Sequence, residues 1–128
     1  MSEIKIKLGA DLNTVGTLES KQAVVKTAFN DPRSDMNPGE LVANALGACM
    51  LTMIGFLAGR RGEKVEGTEV TVVPGFDEKH TRITSFALTF VFPEHLTQAQ
   101  KDFYAKAAES CPVHNSLRAD IAYKITVK

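Results

Sequence analysis

Alternating polar and apolar positions predict a short strand near the start of the chain. Ile4, Ile6 and Leu8 alternate with lysines, which is the pattern of a half-buried strand. Segments 16–20 and 22–27 have the composition of two further short strands. The first part of the chain is therefore predicted to form a small antiparallel meander.

A long apolar segment after this meander predicts a helix. Asn37 is a good N-cap, and Pro38 is favoured at the first helical position. Glu40 then places a negative charge in the first turn, where it suits the helix dipole. The helix is expected to run to about Ala58 and to end near 59–62, where basic residues and a glycine stop occur.

The remaining pattern alternates strands with short helices. Segments 65–73 and 82–92 are rich in β-branched and aromatic residues, which favours two strands. Thr97 is suited to cap a second helix, and Cys111 precedes a short helical turn. Alternation over 121–127 predicts a final strand. The order is β-β-β-α-β-β-α-(α)-β, an α+β fold in which a mostly antiparallel sheet wraps a central apolar helix.

Length and charge restrict the classes of function. The chain has 128 residues, which suits a single domain over 1–128. Lys plus Arg and Asp plus Glu number 15 each, so no net field recruits nucleic acid or an anionic membrane. The segment 41–58 approaches the length of a membrane span, but Asn44 and Thr52 interrupt it and favour a buried helix. The start lacks the apolar core of a signal peptide, so we expect a cytoplasmic protein.

Two cysteines are the candidates for chemistry. Cys49 lies in the middle of the apolar helix, where it is either a small buried hydrophobe or a reactive thiol. Cys111 precedes Pro112 at a helix start, where unpaired N–H groups favour a thiolate and where His114 could assist. A cap residue placed there by chance is the alternative. Neither a metal-ligand pattern nor a dinucleotide fingerprint accompanies them, so we expect no metal and no bound cofactor.

Two segments resemble the OsmC/Ohr family. The first runs from Asn37 to Cys49 (NPGELVANALGAC) and the second from Cys111 to Leu117 (CPVHNSL). Family members open their central helix with a similar Asn/Ser-Pro, reach the first cysteine at this spacing and carry a Cys-Pro-Val-Ser segment. The resemblance covers essentially the whole chain and is closest to a divergent OsmC-like branch. It implies an intertwined homodimer with two sites at the subunit interface.

The resemblance also implies roles for particular residues. Cys49 would be the peroxidatic thiolate and Cys111 the resolving thiol, and an external dithiol would reduce their disulfide. Peroxidases of the family carry a Glu directly after the Pro and an Arg in the meander. Here Gly39 follows the Pro, and residues 1–32 contain no Arg. Lys21, Lys26 and Arg33 are then the candidate cations beside Cys49, with Arg33 the best chemical match, and Glu40 is the candidate residue that holds it. The alternative is that Arg33 is a solvated loop residue and that Glu40 only complements the helix dipole.

Two functions follow as hypotheses. The first is a thiol-dependent peroxidase that reduces organic hydroperoxides in oxidative-stress defence, with Leu46, Met53 and Phe56 lining an apolar substrate pocket. The second is a non-catalytic protein of the same fold that binds an apolar or thiol ligand at the dimer interface. Both cysteines are compatible with either function, so the sequence leaves the two open.

Overall fold

The structure, a computed structural model, describes residues 3–29 and 34–128. The chain divides into two compact units, Met1–Val42 and Ala43–Lys128. The long helix begins in the first unit and continues through the second.

The first unit contains the predicted meander. Strands β1 (Lys5–Leu8), β2 (Thr14–Leu18) and β3 (Ala23–Thr27) form an antiparallel sheet in the order β1-β2-β3. Single turns of 3-10 helix at Ala10–Leu12 and Glu19–Lys21 connect them. The antiparallel arrangement was predicted from the sequence, although β2 begins earlier and ends earlier than expected.

One face of this sheet is apolar and exposed. Ile6 lies opposite Gly16, which lies opposite Val25, so these residues share a face. Ile6 is 63% exposed and Leu8 is 70% exposed. The expectation of a half-buried strand was therefore wrong for the single chain. The alternating pattern is present, but its apolar side is exposed.

Helix α1 (Pro38–Arg61) begins with a reciprocal cap. The Asn37 side chain accepts a hydrogen bond from the Glu40 backbone N–H at 2.8 Å, and the Asn37 N–H donates to the Glu40 carboxylate at 2.9 Å. The helix ends three residues beyond the predicted Ala58. Gly62 adopts a left-handed φ of 69°, which is the glycine stop that the sequence predicted.

The second unit contains a mixed sheet and two further helices. Strands β4 (Glu69–Phe76), β5 (Ile83–Val91) and β6 (Ala122–Val127) are arranged in that order. Helices α2 (Gln98–Ala108) and α3 (Pro112–Ser116) connect β5 to β6. This long crossover makes β5 and β6 parallel, whereas β4 and β5 are antiparallel. The α+β class is confirmed, but the described residues form two sheets rather than one.

Strand β4 continues beyond residue 73, where the predicted strand ended. Pro74 and Gly75 pair with Phe86 and Ser85 of β5, and the register shifts after Gly75. Strand β4 is at the edge of its sheet, where a proline without an N–H is tolerated. Turn composition therefore misled the prediction of where this strand ends.

Helix α1 packs closely on the second sheet. Its buried residues include Leu46, Met50 and Ile54, which recur at helical spacing. At Gly47 an added methyl group would lie 3.1 Å from the Val72 side chain and 3.2 Å from that of Val70. The absence of a side chain at Gly47 thus allows the helix to approach β4.

By length and composition alone, α1 is also apolar enough to cross a membrane. The core helix of a soluble protein has the same properties, and 33% of the most apolar part of α1 is buried here, including Leu46, Met50 and Ile54. We therefore describe α1 as the core helix of this fold.

Truncation of Leu46 tests whether this side chain belongs to the core or to a ligand pocket. Because Leu46 is fully buried, we expect Leu46→Ala to lower the free energy of unfolding by about 2–5 kcal/mol. Val73→Ala is the control, since Val73 is 56% exposed on β4 and should cost less than about 1 kcal/mol. Chemical denaturation measures both. Equal small losses would show that Leu46 does not hold the core together.

Candidate active site

The two cysteines, which are far apart in the sequence, are in contact within the second unit. Cys49 projects from the middle of α1, and Cys111 lies immediately before α3. Both are free thiols, and Cys49 lies near enough to Cys111 to raise the pKa of the Cys111 thiol. The fold thus makes the two cysteines neighbours.

Cys111 is the N-cap residue of α3. Its sulfur accepts a hydrogen bond from the His114 backbone N–H at 3.3 Å, and the Val113 N–H adds a second favourable interaction. Both interactions lower the pKa of Cys111. Pro112 follows at the first helical position, where its missing N–H leaves no donor unsatisfied. The Cys-Pro sequence thus fixes the thiol at the start of the helix.

Burial nevertheless outweighs these two donors. Cys111 has no exposed surface, and its desolvation is the largest cause of a pKa raised above the ordinary thiol value. A negative charge on Cys49 raises the pKa of Cys111 further. The N–H groups at the helix start act on Cys111 in the expected direction, but burial has the larger effect on its pKa. Helix α3 has only five residues, so its dipole is too small to offset burial.

The two thiols differ in accessibility. Cys49 is partly exposed, whereas Cys111 is completely buried. A small reagent from solvent therefore reaches the Cys49 sulfur first, and Cys111 meets the modified sulfur from inside the protein. This asymmetry suits a pair in which one thiol attacks an external compound and the other completes a disulfide.

An aromatic pair borders the Cys111 side of the site. The rings of His114 and Tyr123 have centroids 4.6 Å apart, and Tyr123 also stacks on Phe86 at 5.8 Å. Burial raises the pKa of Tyr123, and a charge on Cys111 raises it further. The Tyr123 hydroxyl and the His114 Nδ1 are buried without a hydrogen-bond partner among the described residues. The alternating pattern over 121–127 had predicted a strand and assigned no role to Tyr123.

Comparison with known proteins places this arrangement in a family. The family model described as OsmC-like protein matches residues 30–126. This chain belongs to the OsmC/Ohr family. No curated protein sequence matches it.

Solved structures of OsmC/Ohr proteins share the fold over the whole chain. A Psychrobacter arcticus protein, ascribed to osmotic stress and detoxification, is 25% identical with a TM-score of 0.90; the match covers 100% of this chain and 96% of that one. An organic hydroperoxide resistance protein OsmC from Legionella pneumophila is 21% identical with a TM-score of 0.76, over 100% and 96% of the two chains. OhrB of Bacillus subtilis, an organic hydroperoxide resistance protein, is 17% identical with a TM-score of 0.73, over 100% and 98%. The latter two similarities establish the fold alone.

Arg33 and Glu40 are the two residues predicted to activate Cys49 in this OsmC/Ohr chain. Arg33 lies outside the described residues. Glu40 is described, and its carboxylate accepts the Asn37 N–H in the helix cap. This bond gives Glu40 a structural task at the start of α1, and the role of holding an arginine stays a prediction.

The three predicted pocket residues occupy different environments. Leu46 is fully buried, Met53 is partly buried, and Phe56 is 60% exposed with the Arg60 guanidinium 5.6 Å from its ring centroid. Leu46 thus lies in the core, whereas Met53 and Phe56 are accessible to a ligand or to a second chain. Their binding of a substrate stays a prediction.

A second polar cluster in this unit holds helices together. The Glu63 carboxylate accepts hydrogen bonds from Tyr104 at 2.5 Å, from Arg61 at 2.7 Å and from Gln100. These bonds, that of Tyr104 first, lower the pKa of Glu63. Arg61 is the last residue of α1, and Gln100 and Tyr104 belong to α2, so these bonds connect the end of α1 to α2. Over 3–29 and 34–128, no group of three His, Cys, Asp or Glu side chains is arranged to hold a metal ion.

The difference in burial predicts the order in which the thiols react. We expect iodoacetamide to alkylate Cys49 at least about tenfold faster than Cys111 in the native protein. In denaturant the two rates should converge, because unfolding exposes both sulfurs. Peptide mass spectrometry after timed quenching measures each rate. Comparable native rates would contradict the burial of Cys111.

Proposed function

We propose that this chain is a thiol-dependent peroxidase that reduces organic hydroperoxides through a Cys49–Cys111 disulfide. The contact between a partly exposed thiol and a completely buried one carries this proposal. Such a pair allows an external oxidant to react at one sulfur and the second sulfur to follow without a large movement. A role in defence against oxidative stress follows from this chemistry.

The cycle has three balanced steps. The Cys49 thiolate attacks the distal oxygen of a hydroperoxide, the O–O bond breaks, and the alkoxide takes a proton to leave as an alcohol. Cys111 loses its proton and attacks the Cys49 sulfenic acid, which forms the disulfide and releases water. An external dithiol then reduces the disulfide by thiol exchange, so no bound cofactor is needed.

The surroundings of Cys49 favour an apolar peroxide. Met53 follows Cys49 by one helical turn and Phe56 by two, and both side chains are accessible. Apolar side chains beside the attacking sulfur bind an alkyl chain better than they bind hydrogen peroxide. Similar folds that carry the name organic hydroperoxide resistance protein add support. A reducing compartment such as the cytoplasm would supply the dithiol.

We also propose that the protein acts as a homodimer. The exposed apolar face of β1–β3 includes Ile6, Leu8 and Val25 and needs a cover. Val15 and Val24 lie on the opposite face, together with Lys5 and Lys26. A second copy of the chain is the proposed cover, because an isologous contact lets one apolar face serve both subunits.

Steady-state turnover tests the peroxidase proposal. With cumene hydroperoxide and a dithiol, wild type should consume peroxide, and Cys49→Ser should fall to the uncatalysed rate because it lacks the attacking sulfur. Cys111→Ser should oxidise about once per site and then turn over at least about tenfold more slowly. Peroxide consumption measures all three. Absence of turnover in wild type would favour the non-catalytic binding protein.

Light scattering tests the dimer. Wild type should have twice the monomer mass at micromolar concentration, and Ile6→Lys should be largely monomeric because it buries a charge in the contact. Val15→Lys is the matched control, since Val15 lies on the lysine-bearing face. A monomeric wild type, or equal disruption by both variants, would contradict the proposed contact.

A further inference from the structure

On the basis of the peroxidase function proposed above, we propose that the Tyr123 hydroxyl is the hydrogen-bond donor that stabilises the Cys111 thiolate when the disulfide forms and when it is reduced. This residue lies on β6, outside the two cysteine segments. Its hydroxyl is the only polar group it carries, and a phenol donates one hydrogen bond.

The first observation is the unsatisfied state of this hydroxyl. It is buried, and no described residue is its hydrogen-bond partner. A buried hydroxyl without a partner costs free energy, so such groups are rare and need an explanation. The other tyrosine, Tyr104, is bonded to Glu63 as expected. The Tyr123 hydroxyl therefore has no acceptor among the described residues.

The second observation is its position beside Cys111. The centroid of the Tyr123 ring lies 4.6 Å from that of His114 and 5.8 Å from that of Phe86. A charge on Cys111 also raises the pKa of Tyr123. His114 also donates its backbone N–H to the Cys111 sulfur. His114 is thus a positioning residue that contacts both partners.

The third observation concerns the groups that raise or lower the pKa of Cys111. Burial raises its pKa, and the groups that oppose burial are the N–H donors of Val113 and His114. Cys49 faces Cys111 from α1 and raises its pKa. Near the start of β5 and β6, Arg82 and Asp120 form an ion pair with each other at 3.1 Å. A third donor at Cys111 would therefore have a large effect on its ionisation.

In the proposed cycle the Tyr123 O–H acts in two steps, disulfide formation and disulfide reduction. In the resting protein burial raises the pKa of Cys111, which favours the neutral thiol. After Cys49 becomes a sulfenic acid, Cys111 must lose its proton before it attacks, and the Tyr123 O–H can then stabilise the anion. During reduction, a dithiol attacks the accessible Cys49 sulfur, and Cys111 leaves as a thiolate. A lower pKa of the leaving thiol speeds this step.

Titration of Cys111 tests the inference independently of turnover. Cysteine labelled with ¹³C at Cβ reports the thiol titration by NMR, and a Cys49→Ser background isolates Cys111. Tyr123→Phe should raise the Cys111 midpoint by about one pH unit, which is a tenfold loss of thiolate at a given pH below it. Tyr104→Phe is the matched control and should leave the midpoint unchanged.

Single-turnover kinetics give the second readout. In the background with both cysteines, Tyr123→Phe should form the Cys49 sulfenic acid at the wild-type rate and convert it to the disulfide about tenfold more slowly. An unchanged Cys111 midpoint in Tyr123→Phe, or an equal rise in Tyr104→Phe, overturns the inference. If wild type consumes no peroxide, the peroxidase proposal is wrong. The Cys111 titration midpoint in Tyr123→Phe then still tests whether Tyr123 stabilises the Cys111 thiolate.

Discussion

The close approach of α1 to β4 at Gly47 is the constraint on which the second unit depends. With no side chain there, the helix lies against Val70 and Val72, and Leu46 and Met50 are completely buried. This packing fixes the rotation of α1, because one helical stripe must face the sheet. Cys49 then lies at the margin of the buried stripe, partly exposed and in contact with Cys111.

The site combines two opposed physical requirements. A resolving thiol must be close to its partner and shielded from solvent, but burial raises the pKa of Cys111 and disfavours the anion it needs. The backbone N–H donors of α3 lower the pKa of Cys111 by less than burial raises it. The Tyr123 hydroxyl is the proposed additional donor to the Cys111 thiolate. Cys49 is partly exposed, which suits the thiol that meets the peroxide in the proposed cycle.

Local signals in the sequence predicted local structure well. The Asn37–Glu40 cap and the glycine stop at Gly62 are both present, because each depends on a few adjacent residues. Long-range pairing was less predictable. The parallel pairing of β5 with β6 depends on how α2 and α3 return the chain, and no single strand pattern encodes it. The contact of Cys49 with Cys111 was expected only from family resemblance, and the strand pattern over 121–127 did not single out Tyr123.

The most direct measurement is the covalent state of the protein after one equivalent of cumene hydroperoxide. Peptide mass spectrometry under non-reducing, thiol-blocking conditions should find both thiols lost and a Cys49–Cys111 disulfide within one chain. This result would show that the contact between the two sulfurs completes the peroxide reaction. Over-oxidation of Cys49 to the sulfinic acid beside a free Cys111, or a disulfide between two chains, would contradict the account.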